Sequence, residues 1–328
     1  MNIARILSSL FLVSSVDGLA LSAPIRMTAT VPAKAVETAK LLPRERYIAS
    51  NRFKVRDGAA AKFEARWANR KSRLATLEGF RYFTLLRQVP LEDVIGPKGA
   101  AAMGGKTPAY DYMSYTIWED YDSFSNWRNG EAFKEAHGGT SIGAFLTAMV
   151  SSLAVLKGPP SPVFYDGLLH LSNVPEPDES KKVEGGWRVV DADGQNLLPA
   201  ECFIAANRFA VREGAEEEFE ERWSKRDSQL NQLPGFKSFT MLRRDGSPAN
   251  DKFGDDFNYM SFTVWADKDS FMNWRNSQSF KDAHSSGAKK NSNQQVEDDI
   301  KPQQPPWTRP PSVAFWEGIL ELSSPIGA

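Results

Sequence analysis

Cysteine is nearly missing. The 328-residue chain holds one, Cys202, so neither a disulfide framework within the chain nor a cysteine-based zinc site can be built. Histidine is scarce too: any imidazole chemistry must use His137, His170 or His284. Neither sign of charge is in excess. Lys and Arg number 40 against 41 Asp and Glu, a net of −1, so the basic footprint of a nucleic-acid binder is absent. The one long apolar run lies at the N-terminus and is too short and Ser-rich to span a membrane. Gly104-Gly105 and Gly138-Gly139 lack a phosphate-loop pattern, and no flavin or nicotinamide fingerprint occurs. No serine–histidine–acid arrangement can be placed by spacing. What remains is an ordinary globular composition, 41% apolar and 25% charged, long enough for two or three domains.

The first 45 residues read as a leader. Arg5 followed by the apolar stretch Ile6 to Val16, with small residues at Gly18, Ala20 and Ala23, has the layout of a secretory signal. The next stretch is rich in Ala, Ser and Thr and carries Arg26, Lys34 and Lys40 against Glu37 alone. This order resembles the bipartite leader of algae with secondary plastids, which implies a plastid destination; a secreted or endomembrane protein is the alternative.

The rest of the chain is one unit written twice. The stretch from Asn51, NRFKVRDGAAAKFEARW, returns from Asn207 as NRFAVREGAEEEFEERW, 156 residues later. YMSYTIWEDYDSFSNWRNGEAFKEAH from Tyr112 returns from Tyr259, and VFYDGLLHLS from Val163 has its partner from Val313. Changes of offset fall in Gly/Pro-rich or polar stretches, where loop insertions belong. Each copy reads as βαββαβ, with strand one near 47–55 and 203–211. Phe63, Trp67 and Leu74 share one helix side, as do Phe219, Trp223 and Leu230. Strand three, Met113 to Ile117, is expected half-buried from its alternation. Asp122 and Asp269 are placed to cap the next helices. The expected fold is α+β: two tandem ferredoxin-like units whose sheets pack face to face into one intramolecular dimeric α+β barrel. The expected domains are 46–172 and 201–324, joined by a Pro- and charge-rich linker over 173–200. Residues 285–312 are polar and Pro/Gln-rich and read as a mobile loop; the matching stretch of copy one, 141–156, is apolar.

Three residue types recur together. Asn51 and Asn207 put an amide on a strand face otherwise apolar, which is costly unless hydrogen-bonded: either a structural amide or a donor aimed at a ligand. Trp127 and His137 are ten residues apart, as are Trp274 and His284. In one unbroken helix that spacing would turn them apart by roughly 80°, but Gly130 and Ser277 predict a break between two short helices. Phe133 and Phe280 stand four residues before the histidines and so share their face. Core packing explains any one of these alone; both copies keep the set while their surface residues differ. Imidazole, indole and amide together suit heme, where histidine can be the iron ligand and distal donors decide the fate of dioxygen. His170 has Glu321 as its counterpart and is read as a strand-end surface residue, and Glu216-Glu217-Glu218 as a solvated helix face.

On the N-R-F, W-R-N and F-K-x-A-H elements both copies resemble the antibiotic biosynthesis monooxygenase family. They are most similar to its heme-degrading branch, known from the bacterial iron-regulated surface determinant system. The resemblance implies dimeric α+β barrels with one heme per unit. It implies that Asn51 and Asn207 contact the distal oxygen ligand and that Trp127 and Trp274 ruffle the heme. His137 and His284 would bind iron, with Phe133 and Phe280 beside them. The implied activity is oxidative opening of the porphyrin with release of iron. Heme then serves as substrate and cofactor, dioxygen as co-substrate, and an external reductase or ferredoxin as electron donor. The alternatives are a cofactor-independent monooxygenase acting on an aromatic or quinol substrate, and a heme-binding or trafficking protein without turnover. The tandem arrangement implies a pseudo-dimer that is complete as a monomer. The apolar stretch after His137 and the polar one after His284 predict two unequal pockets, the second being the safer catalytic site.

Overall fold

A computed structural model describes residues 41–103, 107–136, 153–173, 181–226, 229–253, 255–278, 280 and 304–324. Residues 1–40 of the expected leader, His137, His284 and most of the two stretches after those histidines lie outside the described residues. Contacts divide the chain into Met1–Leu41 and Leu42–Ala328, and all the helices and strands named below belong to the second unit. No helix among the described residues is long and apolar enough to cross a membrane.

Copy one contributes β1 (Arg46–Phe53), α1 (Ala60–Ala68), β2 (Phe80–Val89), α2 (Leu91–Ala102), β3 (Tyr112–Trp118), α3 (Tyr121–Asn129), α4 (Glu131–Ala136) and β4 (Ser161–Ser172). A two-stranded hairpin, β5 (Val183–Glu184) and β6 (Trp187–Arg188), comes next. Copy two contributes β7 (Cys202–Phe209), α5 (Glu216–Ser224), β8 (Phe236–Arg244), α6 (Pro248–Phe253), β9 (Tyr259–Trp265), α7 (Lys268–Asn276) and β10 (Ser312–Ser323). Eight strands close into one barrel in the order β1-β3-β2-β10-β7-β9-β8-β4. Each half keeps the ferredoxin-like order, and every pairing around the barrel is antiparallel. The two sheets do more than face each other. They are hydrogen-bonded edge to edge along β2–β10 and β4–β8, which removes the open edges a lone unit would expose.

Alternation along the strands sorts side chains into two layers. Ile48, Tyr115, Ile117, Ile204, Phe262 and Val264 fill the barrel interior. The equivalent rings Tyr115 and Phe262 stack across its centre, 4.2 Å apart and 9° from parallel. Tyr47, Ala49, Phe53 and Trp118 face outward against the helices. β3 and β9 are therefore buried at all seven positions, not half-buried as their alternation predicts, because closure covers the inner face and helices the outer.

Two buried glutamates anchor the helices to the sheet. Glu64 accepts from Tyr112 Oη (2.6 Å), Arg87 Nη1 (2.8 Å) and the Leu198 amide (2.6 Å). Glu220 accepts from Tyr259 Oη (2.7 Å), Arg243 Nη1 (2.8 Å) and the Leu42 amide (2.5 Å). The same arginines reach across the seams, Arg87 to Glu317 at 2.6 Å and Arg243 to Asp166 at 3.0 Å.

Other expectations need correction. The caps are Asp120 and Asp267, extended residues whose carboxylates accept from the Ser123 and Ser270 amides; Asp122 and Asp269 sit in the first turns. Leu74 and Leu230 belong to short 3-10 turns after the first helices. The offset change between strands two and three holds helices as well as loop: α2, bent at Gly96 where the backbone leaves helical angles, and α6. The tight entries to β2 and β8 need glycine, since Gly79 and Gly235 have φ of +71° and +75°, and a Cβ there would meet Ser123 or Ser270 Oγ at 2.1 and 2.2 Å. His170 is half-buried in the β4–β8 seam, its Nδ1 2.8 Å from Thr240 Oγ1, and is not a surface residue.

Candidate functional site

β1 and β7 present their amides on the outward, helix-facing side of the barrel. Asn51 lies between Ala49 and Phe53 in that layer, opposite Ser114 of β3. Its backbone N–H donates to Ser114 Oγ at 3.2 Å, while among the described residues its half-buried side-chain amide has no hydrogen bond. Asn207 stands opposite Ser261, to which its Nδ2 donates at a long 3.4 Å. Neither amide is fully committed to the fold, so each can meet a ligand.

The tryptophans sit where the repeat places them. α3 ends at Gly130, whose extended backbone breaks the helix before α4 begins. A Cβ at Gly130 would lie 2.9 Å from the Asn126 carbonyl oxygen. In copy two Ser277 makes the break in extended backbone, its Oγ donating to the Trp274 carbonyl at 2.6 Å. Trp127 packs on Trp118 (5.3 Å) and meets Phe133 edge-on (5.1 Å). Trp274 packs on Trp265 (5.2 Å) and meets Phe280 edge-on (4.9 Å). The structure thus brings Trp127 to Phe133 and Trp274 to Phe280, on the same side of the barrel as the asparagines. The iron-ligand expectation for His137 and His284 falls outside the described residues.

Beside the end of α4 lies a cavity of about 930 Å³, within the range of small-molecule sites. Arg70, Arg73, Glu135, Ala136 and Trp187 line it. Arg70 donates from Nε to the Ala136 carbonyl (2.9 Å) and lies over the Trp67 ring at 4.8 Å. Burial lowers its pKa to about 10. Arg73 pairs with Glu135 at 3.0 Å. The chain preceding His137 is therefore held against the cavity by two arginines.

Sequence reasoning missed three features here. The Trp67/Arg70 stack has its equal in Trp223/Arg226, at 3.6 Å, and the repeated W-x-x-R spacing was a usable signal. Glu64 and Glu220 stand in the repeated F-E-x-R-W. Trp187 is different, because the joining segment occurs once. Its indole N–H donates to the Trp67 carbonyl at 3.2 Å, and its ring lies 5.1 Å from Phe83. Gly186 lets the hairpin approach: φ is +90°, and a Cβ would stand 2.8 Å from the Arg73 backbone. Residues 183–198, expected as linker, form part of the wall of copy one.

The antibiotic biosynthesis monooxygenase family model matches residues 46–95 and 202–286. The chain carries two antibiotic biosynthesis monooxygenase-like units in tandem. The first match takes in β1, α1 and β2 and stops before Trp127; the second runs from β7 past α7. Among solved structures, a protein described as a monooxygenase from Fusobacterium nucleatum is 12% identical, with a TM-score of 0.49 over 85% of this chain and 95% of its own. Another so described, from Lactobacillus acidophilus, is 7% identical, with a TM-score of 0.48 over 85% and 96%. A heme-degrading enzyme from Listeria monocytogenes is 9% identical, with a TM-score of 0.31 over 83% and 98%.

Proposed function

We propose that this monooxygenase-like tandem protein degrades heme, binding it in the clefts between the outer sheet face and the helices. The observation that carries the reading is the incompletely paired amide of Asn51, repeated at Asn207, on a face of aromatic and aliphatic side chains. A polar group left available in such a place suits a mainly apolar ligand with one polar centre. The donor set fits heme: an amide N–H from β1 or β7, an indole plate on α3 or α7, and His137 or His284 as the imidazole of each copy.

Bound heme would supply the redox-active iron for dioxygen activation, with electrons from an external reductase or ferredoxin. The protein's own part is positional. Asn51 and Asn207 donate an N–H toward the polar centre. Trp127 and Trp274, braced by Trp118 and Trp265, offer rigid aromatic surfaces that exclude water. In copy one Arg70, Lys71 and Arg73 give the neighbouring cavity, which none of Asn51, Trp127 and Phe133 lines, a cationic rim against Glu135 and Glu184, suited to the carboxylates of a porphyrin. The leader directs the mature protein to a plastid in this reading.

Hemin titration tests the proposal. Each of His137→Ala and His284→Ala is expected to remove one histidine-ligated site. Reductant and dioxygen, with catalase present, are expected to bleach the Soret band of the wild type. Stable heme under those conditions would leave a binding protein. Absence of hemin binding would leave oxidation of an aromatic substrate without a cofactor.

A further inference from the structure

The residues next to the two asparagines point the other way, into the barrel. Arg52 and Arg208 occupy equivalent positions near the ends of β1 and β7 and are 7% and 6% exposed. Both converge on one carboxylate, Asp255. Its Oδ2 lies 3.3 Å from Arg52 Nη1 and 3.7 Å from Arg208 Nη1, while its Oδ1 pairs with Arg244 Nη2. Arg52 also donates to Tyr165 Oη (3.0 Å) and Arg208 to Ser312 Oγ (2.7 Å). The Nε atoms of Arg52, Arg208 and Arg244 are buried without a hydrogen-bond partner among the described residues.

Aromatic rings hold the guanidinium groups in place. Arg52 lies over Tyr110 at 5.0 Å, and Phe257, the counterpart of Tyr110 in copy two, has Arg208 and Arg309 at 4.5 and 4.4 Å from its centroid. Arg52, Arg208, Tyr110, Phe257 and Asp255 line a cavity of about 830 Å³ at the barrel end. Lys54 and Arg309 at its rim have their own acids, Asp111 at 2.7 Å and Asp256 at 3.2 Å. Beyond those pairs, Arg52 and Arg208 in the cavity share, among the described residues, a single carboxylate that Arg244 already pairs from outside the cavity lining. Buried charge of one sign without a counter-ion is costly, and guanidinium forks are matched to carboxylate and phosphate oxygens.

We propose that this barrel mouth binds a small dianion, a phosphate group or a dicarboxylate, at a site separate from the sheet–helix clefts. Asp255 marks where an anionic oxygen belongs: its Oδ2 stands 3.3 and 3.7 Å from Arg52 and Arg208, longer than a tight charge-assisted bond, while Arg244 holds its Oδ1 closely. Copy one supplies Arg52 and Tyr110, and copy two supplies Arg208, Arg309, Phe257 and Asp255, so the site exists only in the closed barrel.

Calorimetric titration of the mature chain with inorganic phosphate and with succinate, at pH 8 and fixed ionic strength, reads it directly. One equivalent of phosphate, of succinate, or of each in competition is expected, and which arm responds names the ligand class. Acetate and chloride are expected to bind much more weakly. Arg208→Gln is expected to weaken binding by at least roughly tenfold, and exposed Arg309→Gln by less. Asp255→Asn, which removes the internal competitor, is expected to tighten it. Should Arg208→Gln fail to fold, Arg309→Gln and Asp255→Asn decide. No saturable binding of either dianion, equal binding of acetate, or affinities unmoved in the folded variants would overturn the proposal. Hemin binding is a separate readout and bears only on the clefts.

Discussion

In copy one Phe83 is 2% exposed, with Trp67 stacked on it at 5.7 Å and Trp187 at 5.1 Å. In copy two the equivalent Phe239 has Trp223 at 5.9 Å and is half-buried. The outer core of copy one is accordingly one cluster reaching from α1 to α3, while that of copy two falls into two, with Phe239 bordering both. A tandem pair has one joining segment for two equivalent outer faces. It can wall only one of them, and here it walls the first. The joining segment thus makes two like outer faces unequal without changing Asn51, Trp127 or their partners in copy two. Trp187, present in copy one alone, is a difference between the halves independent of the stretches after His137 and His284, most of which lie outside the described residues.

The glutamate anchors are where the copies agree, and breaking them should have the largest effect. Glu64→Ala and Glu220→Ala each leave a buried tyrosine hydroxyl and a backbone amide without their acceptor and take one of two carboxylates from a half-buried arginine, so a loss of about 1–3 kcal/mol for each stranded group is expected. Urea unfolding checks it; losses differing by more than about 1 kcal/mol would show that the two anchors are not equivalent.

Trp187→Ala strikes only copy one. Removing a buried indole costs about 3–5 kcal/mol where the site cannot collapse, and less where it can. The sharper readout is affinity. In the His284→Ala background, Trp187→Ala should change hemin binding at the remaining site; in the His137→Ala background it should not.

The smallest effect concerns the seams, where the copies differ in chemistry. Glu321 of β10 stands where β4 has His170. Burial pushes the Glu321 carboxyl up, but Lys237 at 2.7 Å and Lys181 at 2.5 Å outweigh it and bring its pKa to about 2. A carboxyl lowered on folding adds stability above its unfolded pKa, and that stability is lost as pH falls through the folded value. On the order of 3 kcal/mol should therefore disappear between about pH 4.5 and pH 2. Glu321→Gln should flatten this limb of the stability curve, and an unchanged acid limb would count against it.

The repeat made the architecture legible, because a unit that cannot cover its own sheet must find a second one. It also exposed the asparagines, the tryptophans and the helix breaks at Gly130 and Ser277. It could not show which strand edges join, since β2–β10 and β4–β8 pair residues with no sequence relation. Alternation misjudged β3 for the same reason. Trp187 escaped because comparing copies is blind to what occurs once. Glu64 and Glu220 were hidden by residue type: a helical glutamate reads as solvent-facing until Tyr112, Arg87 and their counterparts are seen around it. Asp120 and Asp267 were passed over for acids two residues on, which lie within the helices.

Closure across copies has a consequence for biogenesis. Arg87 of β2 finds Glu317 of β10, 230 positions later. At roughly 5–20 residues per second of synthesis, β2 emerges about 10–50 s before its neighbour exists. Until β8 is made copy one carries two open strand edges, and β2 stays open until β10 follows, which is the state in which nascent chains pair with one another. Any second chain on the same messenger offers a compatible β10. Copy one of one polypeptide can then close on copy two of another, and the exchanged product would contain every contact of the native barrel. Yield of the self-closed barrel is thus set by how long β2 is shielded during translation, and a holdase or a slower supply of chains should raise it.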